Sequence, residues 1–387
     1  MAMPFNLRHL LRQAVRSVLG TKGTHRRLTA HRIKVLLAFW AIFVPHQLIT
    51  RFCFLLDNIF FPRWRKVDIR RPVFITGLFR SGTTFLHRLL AGDTENFSTF
   101  KTWEIYVAPS ILQRKILKVW KRLDRLVGSP IMKWLRRYDS ASLGDIQFHQ
   151  VGLWKEEEDE GLLLFLWDSL FTWFFFPDAS GIEDYQYADR EMSPRRQRRK
   201  LAFYRACIRR HLFCHPDAPI YLSKNPAFTP KLRSLKEAFP DARIVYLVRD
   251  PAKVLVSQAA WFSFCWHYFA SPVEAYPFRN DLLRMTKHWY EYPLDVLGEM
   301  LPEERLIVEY RNLIARPVAA IRDLYDHFGL SMTDAYADWL ERESKKTDEY
   351  ASPGRLELEE VGYSKEAVRE TFSKVYETFD FSPVEPD

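Results

Sequence analysis

The chain has 387 residues, 47% of them hydrophobic and 15% aromatic, with 57 Lys/Arg against 48 Asp/Glu and a net charge of +9. That apolar content excludes an intrinsically disordered protein, and the length suffices for one large core with appended helices. Four cysteines (53, 207, 214 and 265) form no CxxC pair or metal spacing, which excludes a disulfide framework and a zinc module and predicts reduced thiols.

The charge is unevenly spread. Residues 1–56 carry nine Lys/Arg and no Asp or Glu, and the remaining 331 residues balance at 48 against 48. The excess belongs to an N-terminal arm rather than to a groove, so no nucleic-acid partner is expected. Leu7, Leu10, Leu11, Val15 and Val18 recur at helical spacing, with Arg8, Arg12 and Arg16 on another face. Such a basic amphipathic helix suits an anionic membrane surface or packing against the body. An arginine-rich, acid-free start also resembles a transit peptide. Val35–Val44 is an apolar run of ten, short of the ~20 residues a spanning helix needs. Pro45, His46, Gln47, Arg51, Asp57 and Asn58 interrupt its extension, predicting a buried or interfacial helix. The apolar run begins far from the N-terminus and lacks a small-residue cleavage site, so no secretory signal is predicted. A cytoplasmic location is expected, with peripheral membrane contact through residues 1–56.

Pro72–Thr76 reads as a short buried strand, followed by a glycine-bounded loop and a helix over Thr83–Ala91. The loop, Gly77-Leu-Phe-Arg-Ser-Gly-Thr-Thr84, directs backbone N–H groups and a helix N-terminus at one spot, where a phosphate or sulfate can sit. Gly77 permits the sharp turn and Gly82 lets an anion approach the backbone. Arg80 supplies charge, and Ser81, Thr83 and Thr84 supply hydroxyls. Thr83 stands where an ATPase or GTPase carries its lysine, so ordinary ATP hydrolysis is not expected.

Residues 103–138 read as helical and basic. Glu156–Glu160 can be read as a metal cluster, but consecutive acids point in several directions. Placement at a helix start and solvation are the reading favoured here, with one member facing an acceptor pocket as the alternative. Leu162–Phe176 is strongly apolar. The aromatics of that segment either fill the core or line an apolar acceptor pocket. Ser193-Pro194 starts a helix running past Arg205, on which Arg195–Lys200 reads as a solvated face. Strands near 219–223, 243–248 and 305–309 alternate with helices, which argues for an α/β fold with a parallel sheet. Arg249 lies at the carboxyl end of its strand, where open α/β sheets place ligands. Asp250 and Pro251 start a helix bearing Ser257. Arg249 and Ser257 form a second anion grip.

Gly77–Thr84 resembles the 5′-phosphosulfate loop of the sulfotransferases that use 3′-phosphoadenosine-5′-phosphosulfate (PAPS). Phe239–Pro251 with Ser257 resembles their 3′-phosphate site, and Tyr221-Leu-Ser-Lys-Asn-Pro226 resembles their lysine-bearing strand. Arg305–Tyr310 and His327–Leu330 fit as well, and the resemblance covers roughly residues 70 to 375. It implies a three-layer, P-loop-like α/β fold with a central parallel sheet, with residues 1–69 as the helical arm and 70–387 as the sulfotransferase domain. It also implies PAPS as donor, the nucleotide PAP as product, no metal, and a hydroxyl acceptor. The aromatic segment and the arm suit a hydrophobic small molecule or lipid (a lipid, polyketide or phenolic alcohol), with a glycan as the alternative. Phe79 replaces the family's usual proline, and Phe228 replaces a histidine common in bacterial relatives, so that base is unavailable. Gly77, Arg80, Ser81, Gly82, Thr83, Thr84, Arg249 and Ser257 are the candidate donor ligands. Lys224 is expected to reach the bridging oxygen of the donor. Glu104 is the favoured base and His149 the competing one, with Arg80 assisting the charge developing on the donor. The competing function classes are a nucleotide kinase or NTPase with a variant loop, and an inactive membrane adaptor.

Overall fold

In a computed structural model, residues 4–142, 152–176, 181–271, 278–345 and 356–382 are described. Helices α1 (Leu7–Val18) and α2 (Ala30–Phe60) precede strand β1 (Val73–Gly77), helix α3 (Thr83–Ala91) and the short strand β2 (Phe97–Ser98). Helices α4 (Thr102–Tyr106), α5 (Ile111–Leu126) and α6 (Pro130–Ser142) follow, then α7 (Pro194–Cys214) and β3 (Ile220–Lys224). Strand β4 (Arg243–Val248), helices α8 (Pro251–Phe269) and α9 (Arg279–Gly298), and β5 (Arg305–Glu309) complete the sheet and its flanking helices. The sheet is parallel throughout, in the order β2-β3-β1-β4-β5. This is the expected α/β architecture with a central parallel sheet flanked by helices. The edge strand β2 has only two residues, too few for a period-2 pattern to reveal it.

Both faces of the sheet are covered, so its strands read as unbroken apolar runs. Val73, Ile75, Leu222, Val245 and Leu247 enter one core layer, and Phe74, Tyr221, Ile244, Tyr246 and Val248 the other. Alternate side chains point to opposite faces of each strand, so both layers grow from the same residues. Every parallel strand therefore ends at one edge of the sheet, where the candidate ligands collect.

Several expectations change. Helix α2 runs through Pro45 rather than stopping there. Pro45 and Ala41 are exposed, so the carbonyl that Pro45 leaves unbonded is not trapped in a core. Among the described residues, α2 is long and apolar enough to cross a membrane by length and composition. It is nevertheless tied to the body. Gln47 Nε2 and Arg51 donate to the Phe165 carbonyl at 2.6 and 3.1 Å, and buried Asp57 accepts from the Ile111 and Leu112 amides and from Arg210. The aromatics of Leu162–Phe176 serve chiefly as core: Trp167 is fully buried between Trp40, Phe43 and Phe176. The Glu156–Glu160 run is only partly solvated, with Glu156, Glu157 and Glu158 half-buried. Asp159 and Glu160 are buried, with Tyr204, Tyr221 and Asn225 donating to Asp159. Within Arg195–Lys200, Arg195, Arg198 and Arg199 are exposed, whereas Arg196 pairs with Asp168 and Lys200 is buried.

Helix α1 packs with its polar stripe inward. Gln13 and Ser17 are buried, and Gln13 accepts from the Trp167 indole and donates to Thr172. Of the apolar stripe, Leu7, Leu11, Val15 and Val18 are each more than half exposed, while Leu10 is half-buried against the cluster of Leu36, Trp167 and Phe176. His9 sits 3.4 Å from the Thr172 hydroxyl, and burial, then Arg196, lowers its pKa from 6.5 to about 4. The docked helix thus excludes a proton that the free helix takes up between those values, so docking weakens as pH falls through that window. We expect amide exchange in α1, corrected for intrinsic rates, to accelerate from pH 6.5 to 4. Constant protection would refute it.

Candidate active site

Strand β1 delivers the loop through Gly77, whose φ of +143° belongs to glycine; an added Cβ would lie 2.7 Å from the Leu247 carbonyl oxygen. Thr229 brackets this turn, accepting from the Gly77 amide at 3.0 Å and donating to its carbonyl at 2.7 Å. Arg80 is a non-glycine residue in the left-handed region, φ +70°, which costs about 1–3 kcal/mol and persists only when its surroundings enforce it. The enforcement is visible. Arg249 donates to the Arg80 carbonyl at 2.8 Å, and Gln258, which accepts from Thr286, donates to the Phe79 carbonyl at 3.0 Å.

Two loop residues act differently from expectation. The amide and hydroxyl of Ser81 both turn inward to the Leu78 carbonyl, at 3.2 and 2.7 Å, so its hydroxyl shapes the loop instead of standing as a free donor. The space beside Gly82 (φ +99°) is filled by Tyr310, whose ring would lie 2.4 Å from an added Cβ. Helix α3 starts at Thr83 with no side-chain cap. Its first amides therefore have no acceptor within the helix, and they carry the positive end of its dipole. Thr83 is buried and Thr84 half-buried at this end.

The two anion grips meet. Arg80 Nε donates to Ser257 Oγ at 3.0 Å, so the loop of β1 touches the first turns of α8, the helix that follows β4. Arg249 packs over the Tyr310 ring at 4.3 Å, and Asp250 caps α8 through the Ala252 amide with Pro251 as first helical residue. Burial and the neighbouring Arg249 lower the pKa of Arg80, partly offset by Glu158. Two half-buried guanidinium groups side by side favour an anion between them.

Lys224, at the carboxyl end of β3, is buried and reaches the same edge. Its Nζ lies 3.3 Å from Thr84 Oγ1, 2.9 Å from Glu158 and 3.7 Å from Glu157. The acidic run thus supplies two carboxylates to the lysine, a contact that spacing could not reveal because 66 residues separate Lys224 from Glu158.

Glu104 sits in a separate buried cluster of charges. It is 1% exposed, closes a capping box through the Lys101 amide, and accepts from Arg114 at 3.1 Å and His215 at 2.9 Å. Arg114 foremost, then His211 and His215, hold its carboxyl far below the usual range despite burial. A carboxylate so stabilised is a poor proton acceptor, which counts against it as the base. His149 lies outside the described residues. Glu104, His211 and His215 bring ligand atoms within 4.8 Å of one another, a spacing that could suit a metal. Arg114, however, bonds both Glu104 and His211 Nδ1, each at 3.1 Å, and already supplies the cation.

Beyond Ser257, α8 presents Trp261, Phe264 and Tyr268 at intervals of three and four residues, none of them buried. Their rings stack in succession at 5.8 and 6.2 Å. An aromatic row thus leads away from the anion grips along one face of the helix.

A sequence model of the sulfotransferase family matches residues 72–166 and 168–334. Proteins named omega-hydroxy-beta-dihydromenaquinone-9 sulfotransferase Stf3, from Mycobacterium bovis and Mycobacterium tuberculosis, are 25% identical over 294 residues, 70% of this chain and 69% of theirs. Sulfotransferase STF9 from Mycobacterium avium has the same fold, with a TM-score of 0.71 at 16% identity over 98% of both chains. STF1 from Mycobacterium tuberculosis does too, with a TM-score of 0.64 at 20% identity over 97% of this chain and 100% of that one. With its match spanning both anion grips and the lysine-bearing strand, the chain belongs to the sulfotransferase family.

Proposed function

We propose that the protein transfers a sulfuryl group from PAPS to the hydroxyl of an apolar acceptor. The observation that supports this most is the contact of Arg80 with both Ser257 and Arg249, which joins the grips expected for the two ends of one doubly phosphorylated donor. The uncapped start of α3, Arg80, Thr83 and Thr84 would hold the 5′-phosphosulfate. Arg249 and Ser257 would hold the 3′-phosphate. These cationic and neutral donors fit a polyanion. When bound, the donor supplies an electrophilic sulfur.

The chain's own groups divide the remaining work. Lys224, between Thr84 and Glu158, neutralises charge on the departing phosphate oxygen. Glu158 takes the proton of the acceptor hydroxyl, in place of Glu104. It touches Lys224 and acts electrostatically on Arg80, so it lies on the side where both reacting partners must meet. The aromatic row of α8 guides an apolar acceptor towards this point. The menaquinol-derived acceptor in the name of the Stf3 proteins is of that apolar class. Residues 1–56 contact a membrane in which such an acceptor dissolves.

Three measurements test the reading. Arg249→Ala and Ser257→Ala should weaken calorimetric binding of PAP. The lost charge-assisted bond of Arg249 is worth about 1.5–3 kcal/mol, roughly ten- to a hundredfold in affinity. Unchanged affinity, or thermal stabilisation by ATP–Mg²⁺ instead of PAP, would remove the donor assignment. Glu158→Gln should lower kcat by about 10²–10⁴ while keeping PAP affinity. Glu104→Gln should instead lower stability, since breaking a buried pair costs about 3–5 kcal/mol. Full turnover in the Glu158 variant would return the base to another residue. Finally, Trp261→Ala should raise KM for a long-chain alcohol acceptor more than for a short one. Equal effects on both would separate the aromatic row from acceptor binding.

A further inference from the structure

Three helices expose apolar residues that a protein in water normally buries. From Leu37 to Phe60, every exposed residue of α2 is apolar. Leu37, Ile42, Leu48, Phe52, Leu55 and Ile59 are each more than half exposed. At 1.5 Å per residue this ridge is about 36 Å long. Exposed apolar patches on soluble monomers are far smaller. The opposite stripe of α2, with Gln47, Arg51 and Asp57, is bonded to the body, so a spanning orientation would strip these groups of their partners. The helix is arranged to lie along a surface.

Helix α5 adjoins it. The Asp57 carboxylate caps the α5 N-terminus through the Ile111 and Leu112 amides, and Gln113 donates to Thr50 at 3.0 Å. Further along, α5 exposes Trp120, Leu123 and Leu126. Between them, Lys118, Lys121, Arg122 and Arg125 are also exposed. Its one acid, Asp124, is buried and caps α6 through the Ile131 and Met132 amides. Helix α6 continues the pattern with exposed Trp134 and Lys133. No exposed acid lies on α2, on α5, or anywhere among the described residues of 4–56.

We infer that the outward face of α2 and the α5–α6 helix pair together form a docking surface for an anionic lipid bilayer. The inference rests on the reading that residues 1–56 contact a membrane, and it extends the contact to a basic helix pair outside that arm. Apolar side chains enter the acyl boundary while lysine and arginine side chains reach the headgroups. The alternative occupant, a second copy, would bring the same positive charges together across a two-fold interface, so the charge pattern favours lipid. Helix α1, with its apolar stripe outward and three arginines beside it, has the same polarity.

The full-length protein should co-sediment with vesicles of phosphatidylcholine containing phosphatidylglycerol, less with phosphatidylcholine alone, and less in high salt. Two combined variants separate the parts. Leu48→Ser with Phe52→Ser and Leu55→Ser, on α2, should reduce vesicle binding tenfold or more. Lys118→Gln with Lys121→Gln and Arg122→Gln, on α5, should do so for anionic vesicles only. Both should keep PAP affinity, which reports an intact fold. Loss in the α2 variant with none in the α5 variant would overturn the surface proposed here while leaving the arm as the contact. No loss in either, or no binding by the unmodified protein, would overturn both. A dimer in vesicle-free solution that the α2 variant converts to monomer would assign the face to a second copy, and the bilayer proposal would fall.

Discussion

The hydrogen bond from the Arg249 guanidinium to the Arg80 carbonyl is the constraint on which the site depends. Arg80 would leave its left-handed backbone conformation without support, because nothing in its own side chain favours it. With the carbonyl fixed, the side chain is aimed at Ser257 and the loop is closed against α8. The same guanidinium rests on Tyr310 at the end of β5. One residue thus couples β1, β4 and β5 at the sheet edge, and the parallel topology brings it there: each strand runs towards the same side, so four successive strand ends share one small region.

Much of this was legible in the sequence for a physical reason. Strands covered on both faces are largely apolar, so β1, β3 and β4 stand out as short runs giving way at Gly77, Ser223-Lys224 and Arg249, and half-buried β5 as the shorter run Leu306–Val308. The glycines and the Asp250-Pro251 pair mark where those runs give way to helices. The surroundings of Glu104, in contrast, were not legible, because a carboxylate soon after the loop helix says nothing about its neighbours. Arg114, His211 and His215 come from two other helices, and only folding brings their charges to it. The contacts of Glu158 were hidden for the converse reason. Its acidic neighbours suggested solvation, whereas Lys224 pairs with Glu158, and Tyr204, Tyr221 and Asn225 hold buried Asp159 in a hydrogen-bonded network that compensates for lost water.

The arm illustrates how periodicity can be right and its direction left open. Leu7, Leu11, Val15 and Val18 do share a face, but helical spacing alone does not fix which side meets the protein. Here the polar stripe meets it, because Gln13 satisfies the Trp167 indole and Thr172 inside an otherwise aromatic wall. Helix α2 repeats the arrangement with Gln47 and Asp57. A body that offers buried polar partners selects the polar stripe of each helix, and the apolar stripes are left facing outward.

Tyr310 fills the volume that a side chain at position 82 would take, while its ring also supports Arg249. Substitutions at these two sites therefore cannot be accepted independently. A methyl group at 82 demands a smaller ring or none at 310, and that in turn removes the platform beneath the guanidinium. Among relatives that keep this grip, a bulky residue at the loop glycine and an aromatic residue after the last strand should be mutually exclusive.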